Sequence, residues 1–133
     1  MPPSDEAPGQ GQAVTAESLY LANLLLLPGF SFLALIWLYR RLGDSTPPLA
    51  LSHYQQTVWA SVWAGVLLVL VNILIILLGG YQGAYTWVVV ITYFTICHST
   101  LILLGMMGLA KALAGRCYRF PLVGRPLPPG CRS

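Results

Sequence analysis

The chain has 133 residues and a net charge of +3; 56% of its residues are hydrophobic, only 8% are charged, and its mean hydropathy is +0.70. Soluble domains carry about 25% charged residues, so this composition excludes an ordinary water-soluble enzyme and predicts a single all-α domain embedded in a membrane. Without a paired carboxylate, a metal-ligating cluster, a phosphate loop or a nucleophile–base spacing, catalysis has no foothold, and neither a metal nor a nucleic-acid partner is expected.

Residues 1–16 are rich in Pro, Gly, Gln and Ala without an apolar period, which predicts a disordered tail ahead of a transmembrane domain at 17–115. The flank before the first apolar run is acidic and Arg40-Arg41 follow it. That is the reverse of a secretory signal, so the run is expected to stay as an anchor. Residues 19–39 carry no formal charge and are long enough for the roughly 30 Å hydrocarbon core. Pro28-Gly29 in their middle predicts a kink within one span. A loop follows, in which Pro47-Pro48 is expected to be extended. Ser52-His53-Tyr54-Gln55 fits a capping box, so the second helix is predicted from about His53, with a span at about 57–78. That motif also accounts for His53 without a site. The glycine-rich connector at 79–83 is short, which predicts an antiparallel hairpin between this helix and a third span at about 85–110.

Residues 116–133 are rich in Pro and Arg and are expected to form an irregular, basic tail. With three spans, every Lys and Arg falls on one side, and the positive-inside rule predicts the N-terminus outside and the C-terminus cytoplasmic. The three cysteines, Cys97, Cys117 and Cys131, are odd in number and lack a C-x-x-C pair, so free thiols in a reducing compartment are expected.

Among the polar side chains of the predicted spans, Asn23, Asn72, Thr95, His98 and Ser99 are the candidate intramembrane contacts. Asn23 and Asn72 share a depth in the outer leaflet, which predicts a hydrogen bond between helices. An ionisable imidazole at membrane depth demands a partner. His98 has three readings: a neutral histidine satisfied by neighbouring Thr or Ser, an axial ligand to a haem or chlorophyll, or a proton or quinone contact. No cofactor is required by the sequence. Gly105, Gly108 and Ala112 form a small-residue surface, which predicts close approach of another helix or subunit. Arg40, Arg41, Lys111, Arg116 and Arg119 are predicted at the membrane surface, against anionic lipid headgroups or a partner.

Residues 112–122, with Gly115 and Tyr118-Arg119-Phe120-Pro121, resemble the end of a family of small bacterial membrane proteins of unknown function. That family is distantly grouped with a chloroplast inner-envelope protein-import component. Pro28-Gly29, the aromatic-basic end of the first helix, and His53 with Gln55 sit where the family has similar features, so the resemblance covers roughly residues 19–122. Many members have Tyr at the position of Phe120. The resemblance implies three or four helices in a bacterial inner membrane and transfers no catalytic residue. The expected role is a non-enzymatic accessory or assembly subunit, in contact with membrane lipids and part of a homo-oligomer or larger complex. The alternatives are a haem- or chlorophyll-binding subunit using His98, and a homo-oligomeric pore lined by Asn23, Asn72, Thr95 and His98.

Overall fold

Prolines and glycines decide where the helices of this chain start and stop. The computed structural model describes residues 5–131, which form α-helices and one π-helical turn, with no strand among the described residues. The helices are α1 (Gln10–Leu25), α2 (Phe30–Arg40), α3 (Pro48–Leu77), α4 (Thr86–Thr92) and α5 (Ser99–Leu113). The π-helical turn, Tyr93–His98, joins α4 to α5.

The run predicted as one kinked span, 19–39, is divided in two. Pro28 has no N–H to offer the preceding turn, and Gly29 sits at φ 84, a left-handed geometry that favours glycine. Asn23 Oδ1 accepts a hydrogen bond from the Gly29 N–H at 2.9 Å, which closes the turn. Beyond it the chain reverses. Ala16 of α1, Leu35 of α2 and Tyr54 of α3 share one apolar cluster, whereas in a continuous helix Ala16 and Leu35 would stand nearly 30 Å apart at about 1.5 Å per residue. α1 and α2 therefore form a helical hairpin with its tip at residues 26–29.

Helix α1 also begins earlier than expected. Part of the predicted disordered tail, from Gln10 onward, is helical, because Ala13, Ala16, Glu17 and Tyr20 fall on one stripe and are buried. Residues 5–9 are irregular, as expected, and residues 1–4 lie outside the described residues. Helix α3 likewise starts before the capping box: Pro48 occupies its first turn, where a preset φ and a missing N–H suit a helix start. Ser52 then bonds back to the Leu49 carbonyl at 2.9 Å, and His53 lies in the second turn facing inward.

Two helical segments, Pro48–Leu77 and Thr86–Leu113, are long and apolar enough to cross a membrane. Their apolar windows are only 22% and 11% buried, whereas the core helix of a soluble domain is mostly covered. Burial is uneven along them. In α3 the covered positions end at Ala64, apart from Ile75, and Leu68, Val69, Leu70, Ile73, Leu74, Ile76 and Leu77 are exposed. In the second segment the covered surface is concentrated toward its end, at Leu101, Gly105, Gly108 and Ala112.

That surface receives α1. A Cβ on Gly105 would come within 2.7 Å of Leu21 and Tyr20, so only glycine allows this approach. Gln10 Nε2 donates to the Leu113 carbonyl at 2.7 Å, and Tyr20 Oη to the Leu101 carbonyl at 2.9 Å, so α1 and α5 run antiparallel. Ala7 stands beside Gly115, and Gly9 beside Pro47 and Ala50. The N-terminal segment, the loop before α3 and the end of α5 thus gather at one end of the molecule. Ala7 and Gly115 therefore lie at the same end of the molecule, whereas a single continuous helix over 19–39 would set them at opposite ends.

Candidate functional site

The end where the segments gather holds a buried ionisable pair. Glu17 of α1 and His53 of α3 are both 0% exposed, and Glu17 Oε1 lies 2.6 Å from His53 Nδ1. The second imidazole nitrogen, Nε2, lies 2.9 Å from the Arg116 carbonyl oxygen. A carbonyl only accepts, so Nε2 carries its hydrogen and donates. One further proton is shared between Nδ1 and the carboxyl group, and the pair is neutral overall whichever atom holds it. Burial pushes the Glu17 carboxyl up to about 7, and the bond and charge of His53 pull the other way. Glu17 Oε2 finds no partner among the described residues. It faces Gly108, where an added Cβ would fall on the carboxylate itself. Thr57 Oγ1 returns to the His53 carbonyl at 2.7 Å, which ties off the α3 backbone beside the pair.

The residues after α5 close over this pair. The expected irregular tail is irregular in backbone but packed: Phe120 is 1% exposed, and Tyr20 meets it edge-on with ring centroids 5.6 Å apart. Gln56, one turn beyond His53, grips the segment by its backbone. Its Oε1 accepts from the Phe120 N–H at 3.2 Å and the Arg125 N–H at 3.1 Å, and its Nε2 donates to the Arg125 carbonyl at 2.6 Å. Cys117 and Cys131 are joined by a disulfide with Cα atoms 5.9 Å apart. The expectation of three free thiols is corrected for this pair, because the strap turns back and brings the two residues together; Cys97 remains free. Leu127 and Cys131 pack on the cluster of Ala13, Leu49, Ala112 and Cys117. Residues 116–131 therefore form a strap held by a histidine, a glutamine and a disulfide.

The polar residues of the predicted spans are placed differently from expectation. Asn23 serves the hairpin tip, while Asn72 Nδ2 donates to the Leu68 carbonyl at 2.8 Å and its Oδ1 accepts from the Tyr81 hydroxyl. The predicted Asn23–Asn72 bond is absent because each amide is taken by its own turn. Ser99 Oγ donates to the Phe94 carbonyl at 2.9 Å, five residues back, as the π-helical register requires. Neither Thr95 nor Ser99 satisfies His98, whose ring instead lies edge-on to Phe94 at 5.2 Å and beside Tyr93 at 6.4 Å. The extra residue of the π turn rotates the predicted stripe, so that Thr95 is exposed and His98 half-buried.

A groove of about 790 Å³ opens between the hairpin tip, the middle of α3 and the π turn, and both Asn23 and His98 line it. Asn72 and Thr95 do not, so the four residues expected to line a pore are not brought together. The predicted surface cations collect at the strap end, together with Arg125, which was not among them. Arg41 stacks over Trp37 at 4.0 Å and Arg125 over Trp59 at 5.2 Å, while Arg40, Arg116 and Arg119 are exposed and Lys111 is half-buried.

Glu17, Gln56 and the role of the strap were missed in the sequence. A signal existed: Ala13, Ala16, Glu17 and Tyr20 have helical spacing, as do His53, Gln56, Thr57, Ala60 and Ala64. Set against known proteins, the chain matches no family model, no curated protein and no solved structure.

Proposed function

We propose that this protein is an integral membrane protein in which the two long helices cross the bilayer as an antiparallel pair and the α1–α2 hairpin enters it without crossing. In that membrane it acts as a non-enzymatic accessory or assembly subunit of a larger complex. The observation that carries the reading is the low coverage of the two long apolar helices, 22% and 11%, on a chain whose ionisable pair is wholly enclosed. Apolar side chains left open at this density belong against lipid or a partner helix. The Glu17–His53 pair binds α1, α3 and the strap together, which is a structural use of charge. The resemblance to small bacterial membrane proteins favours a bacterial inner membrane.

The strap end carries Arg40, Arg41, Lys111, Arg116, Arg119 and Arg125, and we place it in the cytoplasm by the positive-inside rule. The Cys117–Cys131 disulfide pulls the other way, because such bonds persist in oxidising compartments. Charge bias acts during insertion and sets orientation, so it takes precedence. Trapping thiols in intact cells separates the two: free Cys117 and Cys131 in freshly lysed cells support the cytoplasmic side, and an intact disulfide places the strap outside.

The reading as a whole is tested by alkaline extraction of membranes followed by a mild-detergent pull-down through an added C-terminal tag. Retention in the membrane with a defined co-purifying protein is expected. Release by alkali overturns the membrane reading, and a monodisperse monomer without partners overturns the accessory role.

A further inference from the structure

The groove between the hairpin tip, α3 and the π turn holds hydrogen-bonding groups that the fold does not use. Ser61 lines it, is 5% exposed, and its Oγ has no partner among the described residues. Asn23 commits its Oδ1 to Gly29, which leaves its amide NH₂ as a donor at the groove edge. His98 reaches the same groove with its ring against Phe94 and beside Tyr93. All three lie within the apolar part of the molecule, His98 near the middle of Thr86–Leu113. Hydrogen-bonding groups at that depth remain costly until an acceptor meets them. The π turn that presents His98 is a rare geometry, found most often where a helix serves a site.

We infer that this groove binds a neutral, carbonyl-bearing prenyl lipid of the quinone class. The argument rests on the membrane reading above. The volume of about 790 Å³ lies within the range of small-molecule sites, roughly 300–1,000 Å³. No Lys or Arg lines the groove, so nothing there meets a phosphate, and its depth is wrong for a phospholipid headgroup. A quinone head is uncharged, stays in the hydrocarbon layer and brings two carbonyl acceptors to the donors of His98 and Ser61. Its flat ring fits the aromatic surfaces of Phe32, Tyr93 and Phe94, which favour offset or edge-on contact. An apolar partner helix would cover the groove but leave those donors unpaired.

The test uses the full chain in lipid nanodiscs, after flotation with vesicles has shown that it inserts. Failure to float sinks the membrane reading, whereas failure in the steps that follow sinks only the quinone. A decyl-chain benzoquinone is titrated while tryptophan fluorescence is followed. Saturable quenching is expected, weakened about tenfold or more in His98→Leu and in Ser61→Leu. His98→Gln, which keeps a donor, restores part of the affinity, and Asn72→Leu, outside the groove, leaves it unchanged. Circular dichroism checks the fold of each variant, and either groove variant suffices if the other fails to fold. The inference is overturned by linear partitioning without saturation, by saturation indifferent to both groove variants, by a phospholipid retained in place of the quinone, or by a partner helix found in the groove.

Discussion

The two ends of this molecule solve opposite problems. At the strap end a carboxyl, an imidazole and a carboxamide are enclosed, and their hydrogen bonds join segments distant in sequence: Glu17 with His53, His53 with Arg116, and Gln56 with Phe120 and Arg125. At the far end the surface is apolar, with Leu26 and Phe30 both 76% exposed, and the polar groups close on their own helix or turn, as Asn72, Ser99 and Thr100 do. Long-range polar bonds specify a tertiary arrangement because each member is costly if left unpaired. Local ones satisfy a backbone or side chain and specify nothing beyond the turn. The strap end therefore sets the fold, and the far end is free to meet lipid, a ligand or a partner.

The strap end is most sensitive at Gly108. Gly108→Val places two branches where the Glu17 carboxylate lies, and separating α1 from α5 is expected to cost about 3 kcal/mol or more. Thermal unfolding in detergent should show a collapse of the cooperative transition, and a melt like that of the natural chain would mean that α1 does not pack here. Next in size is His53→Leu, which strands a buried carboxyl and should cost about 3–5 kcal/mol. Replacing both members, Glu17→Leu with His53→Leu, should recover much of that loss. If the double variant is no better than the single, the pair does not act as a unit.

The same pair gives the strap end a pH dependence. Glu17 has its folded value raised to about 7 from 4.5, so the native state binds the extra proton. Its stabilising contribution is full below about pH 4.5 and declines as pH rises through about 7. Counting donors leads to the same sign. Once the shared proton leaves, the imidazole keeps one N–H and can serve Glu17 or Arg116, but not both. Stability should fall between these limits, with the strap loosening first in hydrogen exchange. Glu17→Gln should flatten the profile; a slope that survives that change would assign it elsewhere.

How much of this was legible in the sequence follows the same division. The long apolar segments and the small-residue surface of Gly105, Gly108 and Ala112 were readable, because apolar length and close packing leave their marks on composition and spacing. The reversal at Pro28-Gly29 was not. Proline and glycine announce a break, but whether the chain kinks or turns back depends on what Leu35 finds to pack against, which is Ala16 and Tyr54. Glu17 was read as part of an acidic flank, since its partner lies 36 positions away and no local rule connects them. Basic residues and prolines marked residues 116–133 as an irregular, basic tail, yet Phe120 and the two cysteines were the signs of a packed one.

The disulfide sharpens the picture on a smaller scale. It closes a loop with a separation of 14 residues, worth about 3 kcal/mol on chain-entropy grounds, but only within the strap. Reduction should raise protease sensitivity after Arg116 while the melting of the two long helices shifts less. Equal loss in both would show that the strap and the bundle unfold together.

The smallest effect is expected at Asn72, and it tests the comparison from the other side. Its amide bonds Leu68 one turn back and Tyr81 at the connector, both local. Side-chain hydrogen bonds within membranes average about 0.6 kcal/mol. Asn72→Leu should therefore shift the melt by little, and the added apolar surface offsets part even of that. A loss comparable with His53→Leu would mean that Asn72 holds a distant segment, and the far end would then share in specifying the fold. A silent Asn72→Leu beside a ruinous His53→Leu is the contrast expected of a molecule whose long-range polar bonds are confined to one end.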